Sequence, residues 1–246
     1  MSALVLAIRY LTIVPVPGGR HAAAGLGRSA PWFPVVGAGI GLLLVITDRL
    51  TARVFPSWVS AVLTVSVWKA ITGGLHLDGV ADCLDGLSGR DREQRLAIMR
   101  DSRIGSFGAA GLVLLLLLEV VAVAELPAFA RWRVLLVAPV IARAVPPVLA
   151  RLFGAARTDG QGAAFIAGVG TVGAALALVV ATLVAFVALG PAGVTATVLA
   201  LGVVAVGAVF LSRRLGGLTG DVLGAAVEGA EVVVLLAVLA WLGGQG

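Results

Sequence analysis

The sequence predicts an all-α membrane protein, a single-domain multi-pass helical bundle of about seven transmembrane helices that comprises residues 1–246. Hydrophobic residues make up 60% of the chain and charged residues only 13%, whereas soluble domains have roughly 45–50% apolar and about 25% charged residues. The mean hydropathy is +1.08. A water-soluble fold of this length could not cover so much apolar surface, but the chain is long enough for about seven spans of roughly 20 residues.

Seven apolar stretches approach the length of a transmembrane helix, and several are rich in Gly and Ala, as tightly packed membrane helices are. They cover approximately residues 32–48, 54–75, 104–125, 134–150, 163–189, 192–211 and 221–242. Residues 1–17 form a shorter amphipathic start that ends in Pro15-Val16-Pro17, which predicts an additional interfacial or re-entrant segment. Because Arg9 interrupts its apolar run, a cleavable signal peptide is not expected.

The arginines predict the orientation in the membrane. If the loops alternate between sides, one side holds twelve arginines and the other four, so the first side is cytoplasmic by the positive-inside rule. The twelve are Arg9, Arg20, Arg28, Arg90, Arg92, Arg95, Arg100, Arg103, Arg151, Arg157, Arg213 and Arg214. Topology and anionic substrates account for the net charge of +5, so nucleic-acid binding is not expected. The single Cys83 excludes an intrachain disulfide.

An acidic segment after the second apolar stretch is the most informative part of the chain. Asp78, Asp82 and Asp85 are spaced i, i+4 and i+7, which places them on one face of a helix. Stacked carboxylates repel one another unless a cation lies among them, and Mg²⁺ is usually held by one or two carboxylates plus substrate phosphates. The alternative is a solvated acidic patch. His76 is a candidate general base or ligand-orienting residue, or simply an interfacial histidine.

A basic segment follows. The residues around Arg90, Arg92 and Glu93 fit a solvated amphipathic helix as well as a functional one. Asp101-Ser102-Arg103 differs because it adjoins the next apolar stretch and precedes two glycines, so an arginine there can hold phosphate oxygens bidentately. Carboxylates for a metal beside arginines for phosphate indicate phosphoryl transfer.

The last apolar stretch begins with a second set of acids. Asp221 and Glu228 share a helix face, and Glu231 lies part of a turn round from them. Ionisable groups inside a span usually face a polar interior and have a function. The alternatives are helix capping for Asp221 and structural pairing with Lys69 or Arg143 for the two glutamates.

Taken together, these motifs resemble the cobalamin synthase family, also called adenosylcobinamide-GDP ribazoletransferase. The resemblance extends in order over almost the whole chain. Its three main motifs are His76-Leu77-Asp78-Gly79 with Ala81-Asp82 and Asp85-Gly86, Arg100-Asp101-Ser102-Arg103-Ile104-Gly105, and Leu218-Thr219-Gly220-Asp221-Val222-Leu223-Gly224-Ala225 with Glu228. Thr158-Asp159-Gly160-Gln161-Gly162 is similar, though less closely.

The resemblance implies a Mg²⁺-dependent enzyme of the cell membrane, with its site on the cytoplasmic side. It would join α-ribazole, or its 5′-phosphate, to adenosylcobinamide-GDP and release GMP. Asp78, Asp82 and Asp85 would handle the metal and the diphosphate, with Asp82 or Asp85 as the base. Substrate contacts would come from Arg100, Asp101, Ser102, Arg103, Thr219 and Asp221, with Glu228 behind Asp221. A homo-oligomer is compatible with the sequence.

Two other functions remain open at this point. A CDP-alcohol phosphotransferase has related chemistry, but its signature requires arginine where this chain has Asp82, and two further acids at spacings that are not found here. An ion-coupled transporter would use intramembrane acids, but it predicts an inverted repeat that the sequence does not show.

Overall fold

The computed structural model describes residues 2–17 and 23–244, and Arg20 of the orientation argument lies outside them. The described residues form a 3-10 helix, Ala23–Trp32, and eleven α-helices. The α-helices are α1 (Ala3–Leu11), α2 (Phe33–Thr51), α3 (Ser57–Ile71), α4 (Leu75–Gly86), α5 (Arg92–Ile98), α6 (Ser106–Glu125), α7 (Ala128–Leu152), α8 (Gly160–Gly168), α9 (Thr171–Leu189), α10 (Pro191–Leu215) and α11 (Gly220–Gly243). The predicted all-α fold is confirmed.

Six of these helical segments are long and apolar enough to cross a membrane, and the number becomes seven if the bent pair α3 and α4 is counted as one span. The first of the six joins most of the 3-10 helix to α2, over Gly25–Thr51. The others are α6, α7, α9, α10 and α11. The prediction of about seven spans is therefore confirmed. The N-terminal α1 has nine residues and is too short to span.

The second predicted span, 54–75, is wrong as a single straight helix. Helix α3 has 15 residues, about 22 Å at 1.5 Å per residue, which is shorter than a hydrocarbon core of about 30 Å. The chain then turns by 88° into α4. Gly73 and Gly74 make this turn with φ values of 63° and 70°, a region that residues with a Cβ rarely adopt.

The predicted span 163–189 is also divided. Helix α8 ends at Gly168, where Val169 takes an extended conformation with ψ of 120°. Helix α9 then begins at Thr171 with its own N-terminus. Only α9 has the length and hydropathy of a span. The apolar run alone did not reveal this break.

Helix α7 is the central helix of the bundle and packs against α2, α9 and α11. Its contact with α2 is close because Gly37 and Gly41 lie directly against the backbone of Pro139 and Leu136. Small residues at such contacts let membrane helices approach each other. Helices α6, α9 and α10 lie further out and expose large apolar side chains such as Leu114, Val187 and Val206, as expected of surfaces that face lipid.

The polar motifs meet at one end of this bundle. There α4 crosses the start of α11, and the segment after α7 pairs with the segment before α11 through a parallel bridge between Ala155 and Leu218. The opposite end joins α2, α3, α6 and α7, where Arg131 donates to the Ala124 carbonyl and lies 3.6 Å from Asp48. The residues of the predicted site therefore lie at one end of the bundle.

Candidate active site

The crossing of α4 and α11 depends on two glycines. A Cβ on Gly79 would lie 2.5 Å from the backbone oxygen of Asp221, and one on Gly224 would lie 3.3 Å from the Cα of His76. A Cβ–backbone distance of 2.5 Å is shorter than the packing of real side chains permits. The two backbones are in contact because neither residue has a side chain. This contact brings the acidic segment of α4 to the first turn of α11.

A cavity of about 290 Å³ opens beside this crossing. Its polar wall combines His76 and Asp78 of α4 with Thr219 and Asp221 at the start of α11. Asp221 Oδ2 is buried and has no hydrogen-bond partner. The structure therefore brings together acidic residues that come from distant parts of the sequence, as the motifs predicted.

A second cavity of about 400 Å³ lies on the other side of Asp78. It is lined by Asp78 and Asp82 of α4 and by the loop before α6, through Asp101, Ser102 and Arg103. Asp78 borders both cavities. We refer to them as the inner cavity, which contains Asp221, and the outer cavity, which contains Asp82.

The two arginines predicted to clamp the substrate are differently placed. Arg103 Nη2 is 2.5 Å from Asp101 Oδ2, and its side chain is 87% exposed. Hydrogen bonds from Arg103 lower the pKa of Asp101 to about 2, so this pair is charged at neutral pH. Arg100 instead pairs with Asp159, 3.2 Å away, and does not line the outer cavity.

Asp85 has a structural role. Its two carboxylate oxygens accept the backbone amides of Gly105 and Gly108, at 2.7 and 2.9 Å. These amides belong to the N-terminus of α6, where a carboxylate offsets unpaired donors and the helix dipole. Asp85 is not among the residues that line either cavity. Its predicted roles in metal binding and catalysis remain predictions.

Asp221 is not the side-chain cap of α11, although its place in the first turn retains the favourable interaction with the helix dipole. Thr219 is the N-cap of α11, and its hydroxyl accepts the backbone amide of Val222 at 3.3 Å. Asp221 lies in the first turn of the helix. Its carboxylate is therefore not needed to cap the helix and can serve the cavity.

Glu228 belongs to a buried ion-pair cluster and lines neither cavity. Lys69 Nζ lies 2.7 Å from Glu119, 2.5 Å from Glu228 and 2.9 Å from Glu231. Glu231 also pairs with Arg143. The structure therefore shows the two glutamates paired with Lys69 and Arg143, which was the structural alternative. It does not support direct contact between Glu228 and a substrate. The glutamates of the cluster lie about two to three turns after Asp221 on α11, and the cluster anchors α3, α6 and α7 to this helix.

Arg92 does not lie on a freely solvated face, which was one of the two interpretations of its segment. Its Nε donates to the carbonyl of Leu215 and its Nη2 to that of Ala156, each at 2.8 Å. The side chain therefore connects α5 to the two segments that border the inner cavity. Sequence periodicity placed Arg92 on an exposed helix face but could not show what that face contacts.

Sequence reasoning also missed residues of the inner cavity. Arg157, Asp159, Gln161 and Tyr10 line it. In the sequence, Arg157 contributes only to the predicted topology. The signal that could have found this wall was the segment Thr158–Gly162, which carried only a weak part of the family resemblance.

Comparison with known proteins identifies the family of the chain. The family model for cobalamin-5-phosphate synthase matches residues 3–239. The chain belongs to that family. The resemblance stated from the motifs is confirmed, and with it the assignment to an enzyme family.

Curated relatives extend over the full length of the chain. A protein of Geotalea daltonii is 38% identical over 98% of this chain and 97% of its own. One of Brevibacillus brevis is 38% identical over 98% of this chain and 100% of its own. One of Xanthobacter autotrophicus is 40% identical over 98% of this chain and 96% of its own. Each of the three is named adenosylcobinamide-GDP ribazoletransferase. No solved structure matches the chain significantly.

Proposed function

We propose that this protein joins α-ribazole, or its 5′-phosphate, to adenosylcobinamide-GDP, releases GMP and forms adenosylcobalamin or its 5′-phosphate. The names of the relatives support the substrates. The observation that carries the proposal for this chain is that Asp78 and Asp221, from distant motifs, line one cavity while Asp78 also borders the cavity of Asp82 and Arg103. Such an arrangement suits two substrates that meet at a diphosphate.

The chemistry of these side chains suits a magnesium ion. Asp78 and Asp82 line the outer cavity, and Asp221 Oδ2 is buried without a hydrogen-bond partner. Oxygen ligands of this kind are those that Mg²⁺ takes in combination with substrate phosphates. Asp78, Asp82 and Asp221 would hold the ion, with Asp85 supporting them from the N-terminus of α6. Bound Mg²⁺ would neutralise charge on the diphosphate.

A side chain of the protein can accept the proton of the attacking hydroxyl, and GMP is the leaving group. Asp82 is the better candidate for the base than Asp85, because both oxygens of Asp85 already accept amides. Asp82 takes the proton of the ribazole hydroxyl, whose oxygen forms a bond to the phosphorus attached to cobinamide. The bond from that phosphorus to the bridging oxygen breaks, and GMP leaves with the electron pair. His76, 4% exposed at the wall of the inner cavity, would orient the nucleoside.

The remaining predicted residues would hold substrate around this centre. Arg103 and Ser102 lie at the outer cavity, and Asp101 holds the Arg103 guanidinium in place. Thr219 fixes the start of α11 beside the inner cavity. Arg100 and Glu228 would act indirectly, through Asp159 and Lys69.

We further propose that the site faces the cytoplasm across the cell membrane. The motifs lie at one end of the bundle, and the loops at that end carry most of the arginines, which favours the cytoplasmic side. The family match gives no support to a CDP-alcohol phosphotransferase or a transporter.

The test is turnover by membranes that contain the protein. With adenosylcobinamide-GDP, α-ribazole 5′-phosphate and Mg²⁺, GMP and the cobalamin product should appear in equal amounts. Asp82→Asn should abolish GMP release while the protein still inserts into the membrane. Glu93→Gln is the matched control, because Glu93 is an exposed acid of α5 on the same end. Turnover of a CDP-linked lipid in place of the corrinoid would contradict the proposal.

A further inference from the structure

The inner cavity has two parts of different chemistry. One part is apolar and is lined by Leu11, Phe33, Phe165, Leu223 and Val227. The rings of Phe33 and Phe165 stack behind it with centroids 5.2 Å apart. The other part is the polar wall around Asp78, Asp221 and Arg157. At about 290 Å³, the cavity is near the lower limit of small-molecule sites, which is about 300 Å³, so it accommodates a nucleoside and not a corrinoid.

Arg157 is held at the polar wall by its neighbours. The Ala156 amide donates to the Leu218 carbonyl and the Leu218 amide donates to the Gly154 carbonyl, both at 2.8 Å. From this fixed backbone, Arg157 Nη2 donates to the Leu96 carbonyl at 3.2 Å. Its Nη1 lies 3.9 Å from Asp221 Oδ2, too far for a hydrogen bond. Arg157 Nε is buried and has no partner.

The N-terminus of α8 adjoins Arg157 in the same wall. Gly160, Gln161 and Gly162 line the cavity, and the N-cap residue Asp159 makes no side-chain capping bond. The first amides of this nine-residue helix are therefore available to an anion. His76 is a second and independent sign of a ligand, because it is buried in the cavity wall and its Nδ1 has no partner.

The apolar part discriminates between the two bases in the proposed reaction. Guanine has several donors and acceptors on its edges, and burying them without partners would cost binding energy. The dimethylbenzimidazole of α-ribazole has almost none. Beside these apolar side chains the polar groups are few, namely the buried His76 and the hydroxyl of Tyr10, whose ring stacks on Phe165. The lining therefore suits the benzimidazole and leaves the guanine to a more polar position.

We infer that the inner cavity is the ribazole subsite and that Arg157, with the N-terminus of α8, binds the 5′-phosphate of α-ribazole 5′-phosphate. The base lies in the apolar part, and the ribose hydroxyl that reacts faces Asp78, at the border with the outer cavity that contains Asp82. Arg157 thereby determines the preference for the phosphorylated nucleoside. This inference rests on the proposed function and assigns one substrate to one cavity.

The test compares KM values for the three substrates in wild type and Arg157→Ala. For α-ribazole 5′-phosphate, KM should rise about tenfold or more beyond any rise for unphosphorylated α-ribazole, as expected for a lost charge-assisted hydrogen bond. KM for adenosylcobinamide-GDP should be unaffected. An equal rise for both nucleosides, or a rise confined to adenosylcobinamide-GDP, would overturn the inference.

Two further variants keep the test decisive. Arg157→Gln keeps a polar side chain but has no charge, so it should lose the same preference even if Arg157→Ala folds poorly. Arg90→Ala removes an exposed arginine at the same end and should keep the preference. If the wild type releases no GMP with either nucleoside, the proposed function itself fails. If it does and the preference survives Arg157→Gln, only this inference fails.

Discussion

The backbone of Gly79 lies against the carbonyl oxygen of Asp221, so closely that a Cβ on Gly79 would be 2.5 Å from that oxygen. This contact explains why acids from opposite ends of the chain border one cavity. It also means that the site depends on a residue with no chemical group of its own.

Gly79→Ala should separate α4 from α11. Because the obstructing atom is backbone, the helices must move, which should cost about 1–3 kcal/mol of stability and most of the activity. Gly39→Ala is the control, because a Cβ there meets nothing within 4 Å and alanine is the better helix former. Thermal unfolding in detergent and GMP release measure the two effects. Wild-type stability and activity in Gly79→Ala would refute the contact.

Lys69→Met should strongly destabilise the bundle, because Lys69 is within 2.9 Å of three buried carboxylates. Removing one partner of a buried ion cluster leaves uncompensated charge and typically costs about 3–5 kcal/mol. Adding Glu228→Gln should restore part of the loss by removing one negative charge. The free energy of unfolding in detergent checks both variants. If Lys69→Met unfolds like the wild type, the buried cluster is not structural.

Asp85→Ala should mainly lower the stability of the protein, whereas Asp82→Asn should mainly abolish its activity. Asp85 accepts two amides at the start of α6, so its loss should reduce stability by about 0.5–2 kcal/mol. The Asp82 side chain lines the outer cavity and forms no hydrogen bond among the described residues, so Asp82→Asn should leave stability unchanged and remove GMP release. Paired unfolding and activity measurements distinguish them. The reverse pattern would exchange the two assignments.

Arg92→Ala should lower stability by about 1–3 kcal/mol, since its two charge-assisted hydrogen bonds join α5 to the carbonyls of Leu215 and Ala156. Those carbonyls belong to segments beside the inner cavity, so KM values should rise as well. Arg90→Ala provides the exposed control. Equal melting temperatures for the two variants would show that the Arg92 contacts contribute nothing.

The fold was predictable where one property decides it. Long apolar runs identified α6, α7, α10 and α11, because length and hydropathy are sufficient for a span. They ran past the end of α3, which stops just before the Gly73-Gly74 turn, and they missed the break at Val169, where an extended residue ends a helix inside an apolar run. Pro and Gly are turn signals, but a membrane helix tolerates glycine at packing contacts such as Gly37.

The site was predictable only in part for a related reason. Helical spacing correctly placed Asp78 and Asp82 on one helix face, and the family motifs indicated Asp221 as their partner. Spacing cannot show which element lies opposite a face. The amides that engage Asp85, the carbonyls that accept from Arg92, and Arg157 beside Asp221 all depend on tertiary contacts.

The most direct test of the account is the Mg²⁺ dependence of GMP release in Asp78→Asn, Asp221→Asn and the double variant. If both carboxylates hold one ion, each single variant should need more Mg²⁺ for half-maximal rate. The increase in the Mg²⁺ requirement of the double variant should then be well below the sum of the two single increases. Unchanged Mg²⁺ requirements, or strictly additive losses, would contradict a shared metal between α4 and α11.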